Sequence, residues 1–418
     1  MTSNTTTQPQ RPQLTAANAS ENVQDDNVVK PVKPLTPAQK ETAASNDVQV
    51  PHEQAIDTTA FYKHEPTKQG LWPLGKLFPI TKAPEKAKIL GAAPNPGNPF
   101  VRPVDKNHQF SLDFLREMKM FLEQPRGDSF FCFGPTGSGK STGIVQVLAR
   151  LNWPVQEYTC SEDTEIPVLR GQIMPRLIDG AMTTVYNYGP LAIAMKYGHA
   201  LILNELDHIR AGQLTELNDI LEGKPMLIPE TGEVIYPHSM FRIFATANSA
   251  GGGDTHGLHS GIQIMNSAGL GRYRFHAADY MAEEAEIRLV MSILTNSKSS
   301  ISEDKMKILE KLATRMVKSA NAVRTAYVGS VVNRENTDVD GVKSSPLTNV
   351  ICTRVVKRWA FLYTQTSQAL GPKALHYSLD HAFLRRLRND GLQQECIAIE
   401  KMIEGFMGED FISSVESN

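Results

Sequence analysis

Gly134, Pro135, Thr136, Gly137, Ser138, Gly139, Lys140 and Ser141 fit the spacing GxxxxGK[ST] at every fixed position, and Thr142 follows. Each residue type has a task in holding a polyphosphate. Glycines let backbone N–H groups approach phosphate oxygens, and the N-terminus of a following helix favours the anion. Lys140 reaches the β and γ phosphates, and the Ser141 hydroxyl can hold Mg²⁺. The chemistry is that of ATP with its Mg²⁺, and two further segments carry groups suited to cleaving it. ALILNELDHI (200–209) ends in acids, with Glu205 placed to polarise an attacking water. Asn204 stands where an aspartate usually supports Mg²⁺, and Asp207 can compensate through water. FRIFATANS (241–249) brings Asn248 to the end of another apolar run, where its amide can orient the water or meet the γ phosphate. Taken singly, these acids and this amide also read as solvated strand ends and turn residues.

A phosphate loop works only between a strand and a helix. SFFCF (129–133) is a short, wholly apolar run of the kind buried on both faces of a parallel sheet, and Ile144, Val147 and Leu148 share one helical face after the loop. HALILNE (199–205) and MFRIFATAN (240–248) are further buried-strand candidates, and Phe114, Leu115, Met118 and Leu122 recur at helical spacing. Strands alternating with helices predict a parallel α/β sheet with right-handed crossovers. Beyond residue 280 the pattern is helical. Ser302 caps a stripe of Met306, Leu309, Ala313, Met316, Ala320 and Val323, and two more helical regions cover 352–370 and 378 onward. The predicted organisation is therefore a disordered tail (1–60), an irregular linker (61–104), an α/β nucleotide-binding domain (105–280) and a smaller α-helical lid domain (281–418). The tail is rich in Thr, Gln, Asn, Ala and Pro and has few large apolar residues to offset the entropy of ordering.

Composition narrows the function classes. The 418 residues carry 43 Lys and Arg against 45 Asp and Glu, a balance without the basic excess of a nucleic-acid binder. The four cysteines are scattered, which fits reduced thiols rather than a disulfide framework. No apolar run approaches the ~18–20 residues that span a bilayer, and the start MTSNTTTQPQ has no apolar stretch like that of a signal peptide. A cytoplasmic protein is expected.

The three segments in this order resemble AAA+ ATPases, and the stretches between them resemble the MoxR branch, in particular the small ATPase subunit of the aerobic cobaltochelatase. VLARLNWPV (147–155), FRIFATANS, GDTHGLHSGIQ (253–263) and GLGRYRF (269–275) carry the similarity, which covers roughly residues 105–410. The resemblance implies that Lys140 and Ser141 contact phosphate and Mg²⁺, that Glu205 is the catalytic glutamate and that Asn248 is the sensor-1 residue. It places Arg272 as an arginine finger entering a neighbouring subunit's site, and Arg354, in ICTRVVKRW, as the sensor-2 arginine. On the residues alone, Arg272 and Arg274 flank Tyr273 and read equally as solvated charges, and Arg354 as a surface helix residue. Two positions depart from the family pattern: Asn204, and Gly271 where an aspartate precedes the finger. ETGEVIYPHSMF (230–241), with a turn at Thr231 and Gly232, fits a hairpin able to face a ring pore. His256 and His259 form an HxxH pair with no third ligand nearby, a weak metal signal.

The resemblance implies a homo-oligomeric ring, expected to be a hexamer, that remodels a protein partner such as one with a von Willebrand A domain. A cobalt chelatase ATPase subunit and a weakly hydrolysing assembly switch are the alternatives. Nucleic acid and membrane partners are not indicated.

Overall fold

The computed structural model describes residues 63–178, 181–252, 263–295, 301–335 and 347–412. The chain divides into two units, Met1–Lys63 and His64–Asn418, and the second carries everything described below.

Five parallel strands form the central sheet. In chain order, β1 (Gln69–Pro73) and β2 (Lys88–Ala92) make a separate antiparallel pair. Helix α1 (Leu112–Glu123), strand β3 (Ser129–Phe133) and helix α2 (Lys140–Arg150) follow. Next come β4 (Val155–Thr159), the antiparallel pair β5 (Gly171–Ile178) and β6 (Ala181–Tyr188), and β7 (Ala200–Asn204). Helix α3 (Ala211–Leu221), the hairpin β8 (Met226–Ile228) and β9 (Glu233–Ile235), β10 (Arg242–Ala247) and β11 (Tyr273–Ala277) complete this part. The sheet order is β11-β3-β10-β7-β4, so consecutive strands are joined by crossovers.

Strand residues alternate between two cores, as a sheet covered on both faces requires. Phe131, Leu201, Leu203, Ile243 and Ala245 pack on one face. Phe130, Cys132, Ile202 and Phe244 pack on the other, together with Phe114, Leu115, Met118 and Leu122 of α1. Ser111 caps α1 by accepting from the Phe114 N–H.

Within the segment 61–104, expected to be irregular and to pack on or lead into the folded body, β1 and β2 form a regular antiparallel pair, and Phe78, Ile89 and Leu90 are buried in that second core. The Trp72 indole N–H donates to the Ala92 carbonyl at 2.9 Å and ties the pair together.

Past β11 the chain is helical. Helices α4 (Glu283–Leu294), α5 (Glu303–Glu335), α6 (Thr353–Leu370) and α7 (Gln393–Met407) enclose a third core. Ala313, Met316, Ala320 and Val323 of the anticipated stripe are buried there, whereas Met306 is exposed on the first turns of α5. At its heart the Arg324 guanidinium donates to both carboxylate oxygens of Glu286, at 2.7 and 2.8 Å. No helix among the described residues is long and apolar enough to cross a membrane.

Candidate nucleotide site

Strand β3 delivers Gly134 at its C-terminal end, and the loop turns into α2 at Lys140. Two glycines are required by close approach. A Cβ on Gly134, at φ +146°, would lie 2.0 Å from the Ala278 carbonyl oxygen, and one on Gly137, at φ +75°, would lie 2.5 Å from Cys352 Sγ. Gly139, at φ +91°, caps α2 without a side chain, so no side-chain oxygen occupies the first N–H groups of the helix. Within the loop, Ser138 Oγ is buried and finds no hydrogen-bond partner among the described residues. An unsatisfied buried hydroxyl, uncapped N–H groups and a lysine together fit a bound phosphate chain.

Lys140 Nζ donates to the carbonyls of Gly134 (2.7 Å) and Pro135 (3.0 Å) and to Asn248 Oδ1 (3.0 Å). Burial pushes its pKa down and the Arg354 charge adds to this, while Cys132, Asp207 and Glu205 oppose. The ammonium therefore sits desolvated, with carbonyl and amide oxygens as its hydrogen-bond acceptors. Burial pushes the Cys132 thiol up to about 12, which leaves it an apolar wall rather than a nucleophile.

Beside the lysine, Ser141 Oγ donates to Asn204 Oδ1 at 2.5 Å, and Thr246 Oγ1 donates to the same oxygen at 3.0 Å. Asn204 Nδ2 donates outward to Glu157 Oε1 on β4, at 2.9 Å. Thr246 Oγ1 also accepts from the Glu205 N–H, at 3.4 Å. Glu205 occupies the left-handed region, φ 55° and ψ 46°, directly after β7, and its side chain is about half exposed at 54%. A non-glycine residue there is held against its preference by surrounding bonds, a form of strain that clusters at functional sites.

Asp207, expected to aid Mg²⁺ through water, is fully buried. Its Oδ2 accepts from the N–H groups of Asn248 (2.9 Å) and Ser249 (3.2 Å), bracing the turn that aims the Asn248 amide at Lys140.

The two candidate arginines lie at opposite ends of the sheet. Arg354, in the first turn of α6, lines a cavity of about 460 Å³ with Ser138, Lys140, Tyr280 and Lys357. His108, in the same cavity, is pushed down to about 4 by burial and by Arg150, so its ring is neutral near pH 7. Arg272 precedes β11, and its carbonyl accepts from the Ser129 N–H at the start of β3. The whole of β3, five residues, separates that end from Gly134, or about 16 Å at about 3.3 Å per residue. Its guanidinium is bound to Glu222, at the C-terminus of α3.

Lys140, Ser141, Asn204, Glu205 and Asn248 are thus brought together, Arg354 shares a cavity with Lys140, and Arg272 stands at the other end of β3. Thr246 and Glu157 escaped the sequence reading. Thr246 had a signal, being the polar residue of FRIFATANS two positions before Asn248, whereas Glu157 reaches the site only through the β4–β7 pairing. A hairpin does form here, but it starts earlier than 230–241, pairing Met226–Ile228 with Glu233–Ile235. His256, His259 and most of the segment 253–263 lie outside the described residues.

Comparison with known proteins agrees with this geometry. Residues 129–262 match the AAA domain of the dynein-related subfamily. The aerobic cobaltochelatase subunit CobS of Sinorhizobium sp is 30% identical over 229 residues, covering 54% of this chain and 62% of that protein. Midasin of Giardia intestinalis is 30% identical over 159 residues, 38% of this chain and 3% of midasin. The uncharacterized protein YojN of Bacillus subtilis (strain 168) is 29% identical over 167 residues, 40% of this chain and 52% of YojN. The chain spans less than two thirds of the length of each of these relatives. The phosphate loop lies within the residues that match the family model, so residues 129–262 are similar to an AAA domain of the dynein-related subfamily, and the five-stranded parallel sheet that carries them has an AAA ATPase fold.

Proposed function

We propose that the protein hydrolyses Mg²⁺·ATP as a ring of identical subunits and uses the cycle to remodel a partner protein. The observation that carries this reading is the split placement of the charged groups. Lys140, Ser141, Glu205 and Asn248 converge at the C-terminal ends of β3, β7 and β10, while Arg272 stands at the other end of β3, beyond reach of its own phosphate loop. An arginine so placed serves the site of the next subunit or none.

In this reading the loop N–H groups and Lys140 bind the phosphates, and Ser141 with Asn204 would hold the Mg²⁺ that arrives with the nucleotide. Bound there, the ion would supply positive charge against the phosphate oxygens. Glu205 takes the proton of the attacking water, and Asn248, fixed by Asp207, orients it. Arg354 acts on the nucleotide of its own chain from the lid. Arg272 neutralises transition-state charge in the neighbouring subunit, a contribution of about 10³–10⁵ in rate for such fingers.

The similarity to CobS and midasin motivates a large protein client, with a von Willebrand A domain protein or a cobalt chelatase as the candidates, and a cytoplasmic setting. A second reading is favoured by Asn204 and Gly271, which stand where carboxylates support turnover in similar proteins: a slow switch whose output is assembly.

Mixed rings test the first reading. Arg272→Ala and Glu205→Gln subunits, each inactive alone, are expected to regain turnover when mixed, because one interface then pairs an intact Glu205 with an intact Arg272. Mixtures as inactive as their parents would rule out a finger acting across the interface.

A further inference from the structure

Glu157 stands on β4 at the edge of the sheet, and its carboxylate meets the amide of Asn204. We propose that Glu157 is a positioning residue for the divalent cation bound with nucleotide, holding Asn204 so that its oxygen faces Ser141 and lending the site the negative charge that an amide lacks. The inference rests on the Mg²⁺·ATP reading above.

The hydrogen-bond inventory fixes the orientation. A carboxylate only accepts, so the Asn204 group facing Glu157 must be the NH₂, and the oxygen must face the other way. There it meets the hydroxyls of Ser141 (2.5 Å) and Thr246 (3.0 Å), each of which has a proton to give. With no Glu157, the amide could turn over, present its NH₂ to the cation position and repel the ion. The pairing of β4 with β7 sets the two residues side by side: Thr159 lies opposite Asn204, and Glu157 lies two residues earlier on the same face of β4. Glu157 is also 3.4 Å from Arg102, both side chains being partly exposed, so that contact is a weak surface pair.

A charge acting through one hydrogen-bonded amide is an outer-shell interaction, and removing such partners typically lowers metal affinity about 10–100-fold. Asn204 and Glu157 together thus supply, over two residues, the oxygen and the charge that a single aspartate supplies at this position in similar proteins.

The test is Mn²⁺ binding to the full-length protein loaded with ADP, followed by electron paramagnetic resonance, beside ADP affinity in EDTA. Glu157→Ala is expected to raise the Mn²⁺ dissociation constant at least about tenfold and to leave metal-free ADP affinity as in wild type, which also reports an intact fold. Glu157→Gln, which keeps the shape and an acceptor, is expected to lose less. Asn204→Asp in the Glu157→Ala background is expected to recover Mn²⁺ affinity, and Arg102→Ala to match wild type. Wild-type Mn²⁺ affinity in Glu157→Ala overturns the proposal, as does an equal loss in Arg102→Ala, which would mark a merely structural role for β4. Wild-type protein that binds ADP but adds nothing to the affinity of ADP for Mn²⁺ would instead sink the Mg²⁺·ATP reading, and this proposal with it.

Discussion

Arg272 donates to Glu222 Oε1 through Nε at 2.9 Å and Nη2 at 2.5 Å, at the end of the sheet that faces away from Lys140. Glu222 sits at the C-terminus of α3 and also pairs with Lys224. The finger candidate is therefore anchored rather than loose. Arg272→Ala is expected to leave ATP affinity nearly unchanged and to cut turnover about 10³–10⁵-fold. Glu222→Ala removes the anchor but not the cation, so a smaller loss, about ten- to hundredfold, is expected. Steady-state phosphate release beside equilibrium nucleotide binding checks both; an Arg272→Ala variant with wild-type turnover would contradict the assignment.

Among the described residues, Lys140 hydrogen-bonds only neutral acceptors, two carbonyls and the Asn248 amide, so phosphate is the charged partner that fits it. Hydrogen bonds from charged groups contribute about 1.5–3 kcal/mol, which is about ten- to hundredfold in affinity. Lys140→Ala is expected to weaken ATP binding by at least that factor, measured by titration calorimetry. Unchanged affinity would remove the loop from the site.

The buried pair Arg324–Glu286 ties α5 to α4, and Arg324 lies over the Tyr280 ring, 4.4 Å from its centre. The Tyr280 hydroxyl in turn donates to the Thr136 carbonyl in the phosphate loop, at 3.3 Å. Glu286→Ala leaves a buried guanidinium without its counter-charge, which costs about 3–5 kcal/mol. Denaturant unfolding should show that loss. A smaller loss in the Glu286→Ala, Arg324→Met double variant is expected, because neither charge then remains buried.

His199 precedes β7, is fully buried, and has its pKa pushed down to about 3 by burial and by the neighbouring His64 and His238. Gln156 Nε2 lies 3.1 Å from its Nδ1, so the neutral ring accepts there. The fold prefers the uncharged form while the unfolded chain takes up a proton below about pH 6.5. The stability tied to this residue is complete above pH 6.5 and is lost as the pH falls toward 3, roughly 5 kcal/mol in all. His64 and His238 are also pushed down by burial, and they steepen the same limb. In His199→Asn, whose oxygen can accept from Gln156, the melting temperature is expected to fall less steeply between pH 6.5 and 4. An acid limb as steep as wild type would contradict the assignment.

The parts of the site legible in sequence were those carried on contiguous segments. A phosphate loop needs its glycines and lysine at fixed spacing between a strand and a helix, so Gly134 to Ser141 could be read directly. Glu205 and Asn248 were readable as polar residues ending apolar runs, because a sheet buried on both faces leaves only strand ends for chemistry. Glu157 was not readable, since its contact with Asn204 exists only through the pairing of two strands far apart in sequence. Asp207 has a role the sequence did not suggest: the short helical turn at Leu206–His208 buries it, and its Oδ2 braces the Asn248 turn. The β1–β2 pair was hidden by its prolines and glycines, which suggest irregular chain although Trp72, Phe78 and Ile89 anchor it to the core.

Steady-state phosphate release with Mg²⁺ and ATP, wild type beside Glu205→Gln over a range of protein concentrations, is the most direct measurement. Turnover per subunit that rises with concentration and vanishes in Glu205→Gln is the expected result, since Arg272 can complete a site only in an assembled neighbour. Turnover independent of concentration, or retained in Glu205→Gln, would contradict an ATPase whose active site is shared between subunits.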